Sequence, residues 1–256
     1  MWDPGQYGRY AGERARPFFD LLARVGATNP RLVLDLGCGP GELTATLAER
    51  WPDAAVIGVD SSEAMIESAR SGAGRDGRPS FVLGDVRDWE SPGRADVIVS
   101  NAVLQWVPGQ LEVLARWAGF LADAGWIAVQ VPGNFDQPGH TIMSELAGSP
   151  RWRPLLAGVT MNRQDTGPAD YLDLLAGAGC STDAWETTYL HVLTGDNPVL
   201  DWYKGTGLRP VIDVLPADLA GEFLAEYGAR VLEAYPPRQY GTVLPFRRVF
   251  AVGRRG

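Results

Sequence analysis

A glycine-rich segment, residues 34–44 (LDLGCGPGELT), follows an apolar run and precedes an amphipathic one, so it lies where a strand passes into a helix. Three glycines alternate in it: Gly37, Gly39 and Gly41. Glycine lets the backbone turn tightly and approach a ligand that any Cβ would push away. A dinucleotide fingerprint has its third glycine one place later, where this chain has Glu42, and Asp35 just before the loop would repel a pyrophosphate. The loop therefore predicts a cofactor without phosphates.

S-Adenosylmethionine meets that requirement. It carries an ammonium group, a sulfonium and two ribose hydroxyls, all of which are partners for carboxylates and backbone carbonyls. The loop thus indicates a methyltransferase that converts S-adenosylmethionine to S-adenosylhomocysteine.

Size and charge limit the other function classes. The chain has 256 residues, of which 45% are hydrophobic, enough for one sizeable α/β domain over residues 1–256. Its formal net charge of -8 argues against nucleic acid or an anionic membrane as partner, because both require clustered Lys and Arg. We expect a small-molecule substrate and no obligate protein partner. An anionic substrate would need a local basic pocket.

The cysteines and the first residues of the chain indicate the cellular compartment of the protein. The two cysteines, Cys38 and Cys180, form neither a disulfide framework nor a metal-ligand spacing, which predicts a reducing compartment and no metal. The first residues lack a basic segment followed by an apolar stretch, and no run approaches the roughly 20 apolar residues of a membrane span. We expect a cytoplasmic protein.

Strand and helix patterns alternate along the first half of the chain. Apolar runs predict strands at residues 31–36, 54–59, 80–83, 96–99 and 126–131. Helical patterns fall between them at residues 42–50, 62–70 and 111–121. This alternation predicts an α/β fold, a doubly wound parallel sheet that binds its ligand at the carboxyl ends of the strands.

The second half is less regular. Residues 132–168 are rich in Pro, Gly and polar side chains and predict an irregular insertion near the site. A helix at 169–178 and a strand at 182–192 follow, and a last strand lies around 249–252. Between them, residues 198–235 predict helices interrupted at 205–207 and at Pro216, within a helical lid or substrate-binding insertion over 196–240.

Asp60 ends the second strand about 20 residues beyond the loop, where an acidic residue meets a ribose in this topology. Its carboxylate is expected to accept hydrogen bonds from both ribose hydroxyls, with Ser61 beside it. The alternative is a helix cap, because Asp60, Ser61 and Ser62 all suit that position.

Asp85 ends the third strand and resembles the position at which methyltransferases hold the adenine amino group, with the backbone amide of Val86 on the ring. The alternative is a turn residue. Met65 is predicted either to pack against adenine or to fill the core.

Asn101 follows the fourth strand and is assigned to the cofactor site. Enzymes that methylate base or glutamine amines resemble one another in carrying two prolines here, and residues 100–106 (SNAVLQW) lack them. Amine acceptors therefore lose support and a small-molecule oxygen acceptor gains it. Trp106 is predicted either to line the reaction site or to belong to the core.

Across nearly its whole length the chain resembles the trans-aconitate 2-methyltransferase family. The segments that carry the resemblance are Trp2 to Tyr10, Glu13 to Pro17, Asp35 to Gly41, Asp60 to Ser62, Asn101 to Trp106, Gln130 to Pro132 with Asn134 and His140, Thr187 to Tyr189 with His191, and Thr206 to Pro210. Gly133 departs from the pattern, because an acidic residue is expected after the proline.

The resemblance implies a class I methyltransferase fold, Rossmann-like and mostly parallel with an antiparallel last strand. It also implies esterification of one carboxylate of trans-aconitate. A carboxylate attacking a sulfonium methyl in line has no proton to lose, so no general base is required. The protein must instead position the reactants.

A polycarboxylate needs cations or donors for the carboxylates that do not react. Arg209 is the first choice, because a guanidinium forks onto a carboxylate and this one follows a flexible Thr-Gly. Trp106, His140 and Arg209 are assigned to positioning. The further predicted substrate contacts are Tyr7, Asn134, Tyr189, Trp202, Tyr240 and Arg247. The alternatives are that Arg247 and Arg248 are solvated at a strand end, that His191 is a core histidine and that Tyr240 is a turn residue.

Two other functions stay open. The cofactor half equally resembles carboxyl methyltransferases that act on a malonyl group carried by a small protein, although this acidic chain shows no dense basic run for docking. A protein that binds S-adenosylmethionine without catalysis is the second.

Overall fold

The computed structural model describes residues 11–74, 77–159 and 166–256, and these divide into two compact units. Of the described residues, the sheet unit contains 12–74, 77–131, 166–186 and 248–256. The helical unit contains residue 11 and residues 132–159 and 187–247. The prediction of a single domain remains a prediction.

Strands and helices alternate through the described chain. In chain order the elements are α1 (Ala11–Leu22), β1 (Leu32–Leu36), α2 (Glu42–Arg50), β2 (Ala55–Asp60), α3 (Glu63–Gly72), β3 (Ser80–Leu83), β4 (Ala95–Asn101), α4 (Gln110–Gly119), β5 (Leu121–Pro132), α5 (Pro138–Gly148), α6 (Pro168–Gly177), β6 (Cys180–Leu193), α7 (Pro198–Lys204), α8 (Arg209–Ile212), α9 (Ala217–Ala234) and β7 (Thr242–Arg255). A 3₁₀ turn, Leu104–Trp106, precedes α4.

The sheet confirms the predicted fold class. Its seven strands follow the order β3-β2-β1-β4-β5-β7-β6, with parallel pairing from β3 to β5 and antiparallel last strands. The chain order reverses between β1 and β4, which are neighbours. In a doubly wound sheet the ligand crevice opens at this reversal, so the glycine loop after β1 lies at the expected place.

The sheet unit is held by strands that are apolar on both faces. Leu34 pairs with Ile57 on one side and Ile98 on the other, and Leu34 and Ile98 are fully buried. A parallel sheet needs such continuous apolar runs because helices cover both of its faces. The indole of Trp117 in α4 is buried against this core and donates to the carbonyl oxygen of Val86 at 3.0 Å.

The helical unit has its own core. Trp152 and Phe223 are fully buried and meet edge to face with ring centroids 5.2 Å apart. Gly139 in α5 donates from its backbone to the Tyr235 hydroxyl at 3.1 Å and accepts from the Tyr227 hydroxyl at 3.0 Å. The bond from Gly139 N–H satisfies a donor near the start of α5 that has no partner within the helix.

The prediction of an irregular segment at 132–168 is wrong for part of its length. Residues 138–148 form α5, which begins with proline at its first position and buries Ile142, Met143, Leu146 and Ala147. Its apolar positions do follow a helical period, but the prolines and glycines around them hid it. The last strand is also longer than predicted, because Pro245 and Gly253 broke the pattern of an otherwise continuous β7.

The predicted helices between residues 198 and 235 are present as α7, α8 and α9, with breaks near Gly205 and Pro216. Their role as a lid remains a prediction. Within the described residues no helix is both long and apolar enough to span a membrane. Cys38 and Cys180 are buried free thiols.

Candidate functional site: a cofactor loop and a polar aromatic cluster

The three loop glycines have different physical roles. All adopt the left-handed region, with φ of 86° at Gly37, 55° at Gly39 and 85° at Gly41. A Cβ at Gly37 would lie 2.0 Å from Val103 Cγ2, and one at Gly41 would lie 2.7 Å from Phe81 Cζ. A Cβ at Gly39 would meet nothing within 4 Å. Gly37 and Gly41 therefore permit packing of the protein itself, whereas Gly39 faces open space that a ligand could enter.

The N–H groups of Cys38 and of the three loop glycines are already used within the protein. Gly37 and Cys38 donate to the carbonyl oxygen of Val59 at 2.8 and 3.0 Å, and Gly41 donates to the carbonyl oxygen of Cys38 at 3.2 Å. Gly39 donates to Asp60 Oδ2 at 2.9 Å. A phosphate-binding loop needs such groups to point at the ligand. This loop instead presents carboxylates, which agrees with the prediction of a cofactor without phosphates.

Asp60 organises the end of β2. Its Oδ2 accepts from Gly39 and its Oδ1 accepts from the Ser62 backbone at 2.9 Å. The helix cap is Ser62, whose side chain accepts from Met65 N at 3.4 Å, so Asp60 does not cap α3 itself. Each carboxylate oxygen has a second lone pair, which leaves one acceptor position per oxygen for a ribose hydroxyl.

The loop has a negative local potential. Burial, with a smaller contribution from Asp60, raises the pKa of Asp35 from 3.8 to about 6, and a hydrogen bond of 2.6 Å from the Thr44 hydroxyl opposes this rise. Burial together with Asp35 and Asp60 also raises the pKa of the Cys38 thiol, so this cysteine is not a nucleophile. A cationic ligand would relieve the repulsion between the two carboxylates.

Asp85 is engaged by a residue that sequence reasoning missed. Arg87 forks onto its carboxylate, with Nη2 to Oδ2 at 2.6 Å and Nε to Oδ1 at 3.0 Å, and this holds the pKa of Asp85 below its usual range. The Asp-x-Arg spacing was the available signal. An adenine amino group at Asp85 would share the carboxylate with Arg87. Val86 and Met65 are buried, and Ser61 is exposed.

Asn101 and Trp106 lie at and after the carboxyl end of β4. Asn101 Oδ1 is buried with no hydrogen-bond partner within the described chain. The Trp106 side chain is 41% exposed, so it does not belong to the core. Its predicted role as a wall of the reaction site remains a prediction.

In the helical unit, Asn134 and His140 lie around one tyrosine. Asn134 is fully buried and its Nδ2 donates to the Tyr203 hydroxyl at 3.5 Å, while its Oδ1 has no partner among the described residues. The His140 ring meets Tyr203 edge to face with centroids 5.1 Å apart. Burial lowers the pKa of His140 to about 4, so its imidazole is neutral at pH 7. Tyr203 was missed because a helical tyrosine has no distinguishing sequence signal.

Arg209 and Arg247 are partly buried cations of the helical unit. Arg209 begins α8, and 22% of its side chain is exposed. Its Nη2 lies 3.9 Å from Asp213 Oδ1. A Cβ at Gly207, two residues earlier, would lie 3.3 Å from His140 Cε1, so this backbone approaches His140 closely. Arg247 lies 3.6 Å from Asp136. The backbone N–H of Gly133 donates to the carbonyl oxygen of Arg247 at 2.9 Å. Gly133 therefore takes part in a backbone hydrogen bond with the strand that carries Arg247.

The remaining predicted substrate contacts lie in different surroundings. Tyr189 and Trp202 are buried on either side of His191, with ring centroids 6.1 and 5.1 Å from it, in an aromatic stack. Such a stack is typical of a core, as the alternative for His191 proposed. Tyr240 is 58% exposed on a turn and accepts from Arg238 at 2.8 Å. Tyr7 lies outside the described residues.

Known proteins with similar sequences cover the chain from end to end. A family model described as a methyltransferase domain matches residues 33–125. The trans-aconitate 2-methyltransferase of Streptomyces avermitilis is 52% identical, over 99% of this chain and 97% of that protein. The enzyme of the same name from Rhodococcus jostii is 52% identical, over 99% of both chains. The chain belongs to the trans-aconitate 2-methyltransferase family.

A solved structure supports the fold independently. The YcgJ protein of Bacillus subtilis superposes with a TM-score of 0.63 at 13% identity, covering 94% of this chain and 98% of that one. At this identity the likeness concerns the fold alone. The family resemblance inferred from scattered segments outside the loop is thereby confirmed by the full-length sequence matches.

The two units of this member of the trans-aconitate 2-methyltransferase family differ in the chemistry of their polar groups. In the sheet unit, the carboxylates of Asp35 and Asp60 lie near Gly39, which has open space beside it. This arrangement suits a cation with hydroxyl groups. The helical unit has guanidinium groups and buried amide and imidazole groups, which suit an anion. Within the described residues, no group of three or more His, Cys, Asp or Glu side chains is placed to hold a metal ion.

We predict that Asp35 makes stability depend on pH. Because its pKa is raised to about 6 from 3.8, the folded state binds the proton more tightly than the unfolded state, and the free energy of unfolding falls as pH rises between these values. Asp35→Asn removes the titrating group and so removes this fall in the free energy of unfolding. The difference in free energy of unfolding, variant minus wild type, should be greater at pH 7.5 than at pH 4.5 by about 2 kcal/mol.

Urea unfolding without cofactor at the two pH values measures this difference. The control is Asp53→Asn, an exposed carboxylate in the same unit, which should leave the pH dependence unchanged. A parallel pH dependence in wild type and Asp35→Asn would contradict the role given to Asp35.

Proposed function

We propose that the protein is a methyltransferase that esterifies one carboxylate of trans-aconitate with the methyl group of S-adenosylmethionine. The observation that carries the proposal is 52% identity over nearly the full length of relatives named for this reaction. We include cytoplasmic location in the proposal, because the two cysteines are free thiols. A small polycarboxylate is then the substrate, with no metal required.

The properties of the sheet unit support S-adenosylmethionine as the cofactor. The N–H groups of Gly37, Cys38, Gly39 and Gly41 are used within the protein, and two carboxylates give the loop a negative potential. In the proposal the ribose hydroxyls donate to the remaining lone pairs of Asp60, the adenine amino group lies at Asp85 with Val86, and Gly39 allows close backbone approach. Asp35, Gly37, Gly41, Ser61, Met65 and Asn101 complete the proposed cofactor set.

The chemistry requires placement more than acid–base catalysis. A carboxylate oxygen of the acid attacks the methyl carbon, the carbon–sulfur bond breaks, and its electron pair stays on sulfur. The products are the methyl ester, in which only the reacting carboxylate has lost its negative charge, and the thioether S-adenosylhomocysteine. No proton moves. Reacting atoms held in line about 3 to 3.5 Å apart account for much of the rate gain.

The proposed acid-binding residues are cations and hydrogen-bonding groups. Arg209 is assigned to a carboxylate that does not react, since its fork suits two carboxylate oxygens. His140, neutral at pH 7, can donate through one ring nitrogen without adding charge. Trp106 is assigned to positioning. The further proposed contacts are Tyr7, Asn134, Tyr189, Trp202, Tyr240 and Arg247.

The direct test incubates purified protein with S-adenosylmethionine and, separately, trans-aconitate, cis-aconitate, citrate, isocitrate and a carrier-bound malonate. Mass spectrometry detects methyl ester. We expect ester from trans-aconitate with the highest kcat/KM. Ester from carrier-bound malonate alone would identify the carrier-dependent reaction instead. Retained cofactor binding with no ester from any acid would identify a non-catalytic protein.

Asp60→Ala should weaken S-adenosylmethionine binding at least about tenfold, because two hydrogen bonds from the ribose to a charged group are lost. Calorimetry measures the affinity and thermal unfolding checks the fold. Asp53→Ala, an exposed carboxylate of the same unit, is the control. Unchanged affinity in Asp60→Ala would remove the ribose role.

Arg209→Ala should raise the KM for trans-aconitate about tenfold or more and leave the KM for S-adenosylmethionine unchanged, through loss of a charge-assisted contact. Steady-state kinetics with each substrate varied in turn measures both constants. Arg151→Ala is the matched control, because Arg151 is an exposed arginine of the same unit that pairs with Glu222 and Glu226. Equal effects on both KM values would indicate a general structural defect.

A further inference from the structure

Gln130 is a buried amide at the carboxyl end of β5, within the sheet unit. Its side chain is 1% exposed. It stands in register with Asn101 at the end of β4, and its carbonyl oxygen accepts from Ala102 N at 2.8 Å. Residues in register on parallel neighbours project to the same face of the sheet, about 4.8 Å apart. Gln130 therefore belongs to the edge of the sheet at which the ligand crevice opens.

The orientation of the Gln130 amide is fixed by its neighbour. Arg248 of β7 is 4% exposed, and its Nη1 donates to Gln130 Oε1 at 3.3 Å. A guanidinium has only donors, so the amide must turn its oxygen towards Arg248. The NH₂ group must then face away from Arg248.

This fixed NH₂ group has no acceptor. Gln130 Nε2 is buried and hydrogen-bonds to nothing within the described part of the chain. A buried donor without a partner costs free energy comparable to its desolvation, so such groups are rare unless a ligand completes them. The position therefore calls for a hydrogen-bond acceptor from outside the chain.

The acceptor belongs to the acid and not to the cofactor. Apart from Asn101 at the end of β4, the proposed cofactor contacts lie on or after β1, β2 and β3, and β5 is two strands beyond β1 in the other direction, about 10 Å away. The nucleophile of an in-line transfer lies on the side of the methyl group opposite the sulfur, away from the cofactor. A carboxylate is an acceptor only, and it matches a lone N–H donor beside a guanidinium.

We propose that Gln130 Nε2 donates a hydrogen bond to a carboxylate of the acid substrate that does not react, and that Arg248 is the positioning residue that holds the amide in this orientation. The inference rests on the proposed function. The bound carboxylate is a non-reacting one because the attacking oxygen loses its charge in the transition state, so a donor there would weaken as the reaction proceeds and would slow it. A donor on a spectator carboxylate contributes equally to ground and transition states.

Gln130→Glu tests the inference with little change of shape. The substitution keeps an oxygen against Arg248 and replaces only the NH₂ group with a second oxygen, which cannot donate and repels a carboxylate. The KM for trans-aconitate should rise about tenfold or more, with kcat within about threefold of wild type. The affinity for S-adenosylmethionine and the melting temperature should not fall, because the contact with Arg248 becomes an ion pair.

Two further variants separate the causes. Gln130→Met removes the donor without adding charge and should also raise the KM for the acid about tenfold, which distinguishes a lost hydrogen bond from added repulsion. Gln110→Glu is the matched control, because Gln110 is a buried glutamine of the same unit whose amide is bonded at both ends, to Tyr171 at 2.7 Å and Thr166 at 2.6 Å. It should leave the KM for the acid unchanged.

The outcomes are distinguishable. An active wild type with an unchanged acid KM in folded Gln130→Glu and Gln130→Met overturns the inference alone. A loss of S-adenosylmethionine affinity without a change in the acid KM reassigns Gln130 to the cofactor and also overturns it. A wild type that forms no ester from any acid overturns the proposed function, and the inference with it.

Discussion

The bonding of the glycine loop to the end of β2 is the constraint on which the rest of the site depends. Val59 accepts from Gly37 and Cys38 through its carbonyl oxygen, and the next residue, Asp60, accepts from Gly39. The pairing of β1 with β2 therefore fixes the loop before any ligand arrives. These donors are consumed within the protein, and the charged groups beside the loop are the carboxylates of Asp35 and Asp60, which suit a cation and hydroxyl groups.

Arginines also orient two polar groups near the strand ends. Arg87 forks onto both oxygens of the Asp85 carboxylate, and Arg248 donates to the oxygen of the Gln130 amide. At Gln130 the arginine decides which atom of its neighbour remains available, because a guanidinium can only donate. A cation that fixes the orientation of a polar group can matter as much for recognition as one that contacts the ligand.

Sequence reasoning predicted the elements whose signals are local. The strands β1 to β5 are short apolar runs, and the loop has a glycine spacing, so the fold class, the location of the crevice and the exclusion of a dinucleotide followed from residues close together in the chain. Helix α5 was missed because prolines and glycines surround its apolar positions. Contacts between distant residues, such as Asn134 with Tyr203 or Gln130 with Arg248, leave no periodic signal in one sequence.

The low pKa of His140 has a consequence for how the protein responds to mild acid. An imidazole that keeps no proton until about pH 4 contributes no charge that varies between pH 5 and 8, although histidine is the usual sensor in that range. The carboxyl of Asp35, with a pKa of about 6, does change state there. Mild acidification therefore protonates a buried aspartate of the glycine loop, while the imidazole of His140 remains neutral.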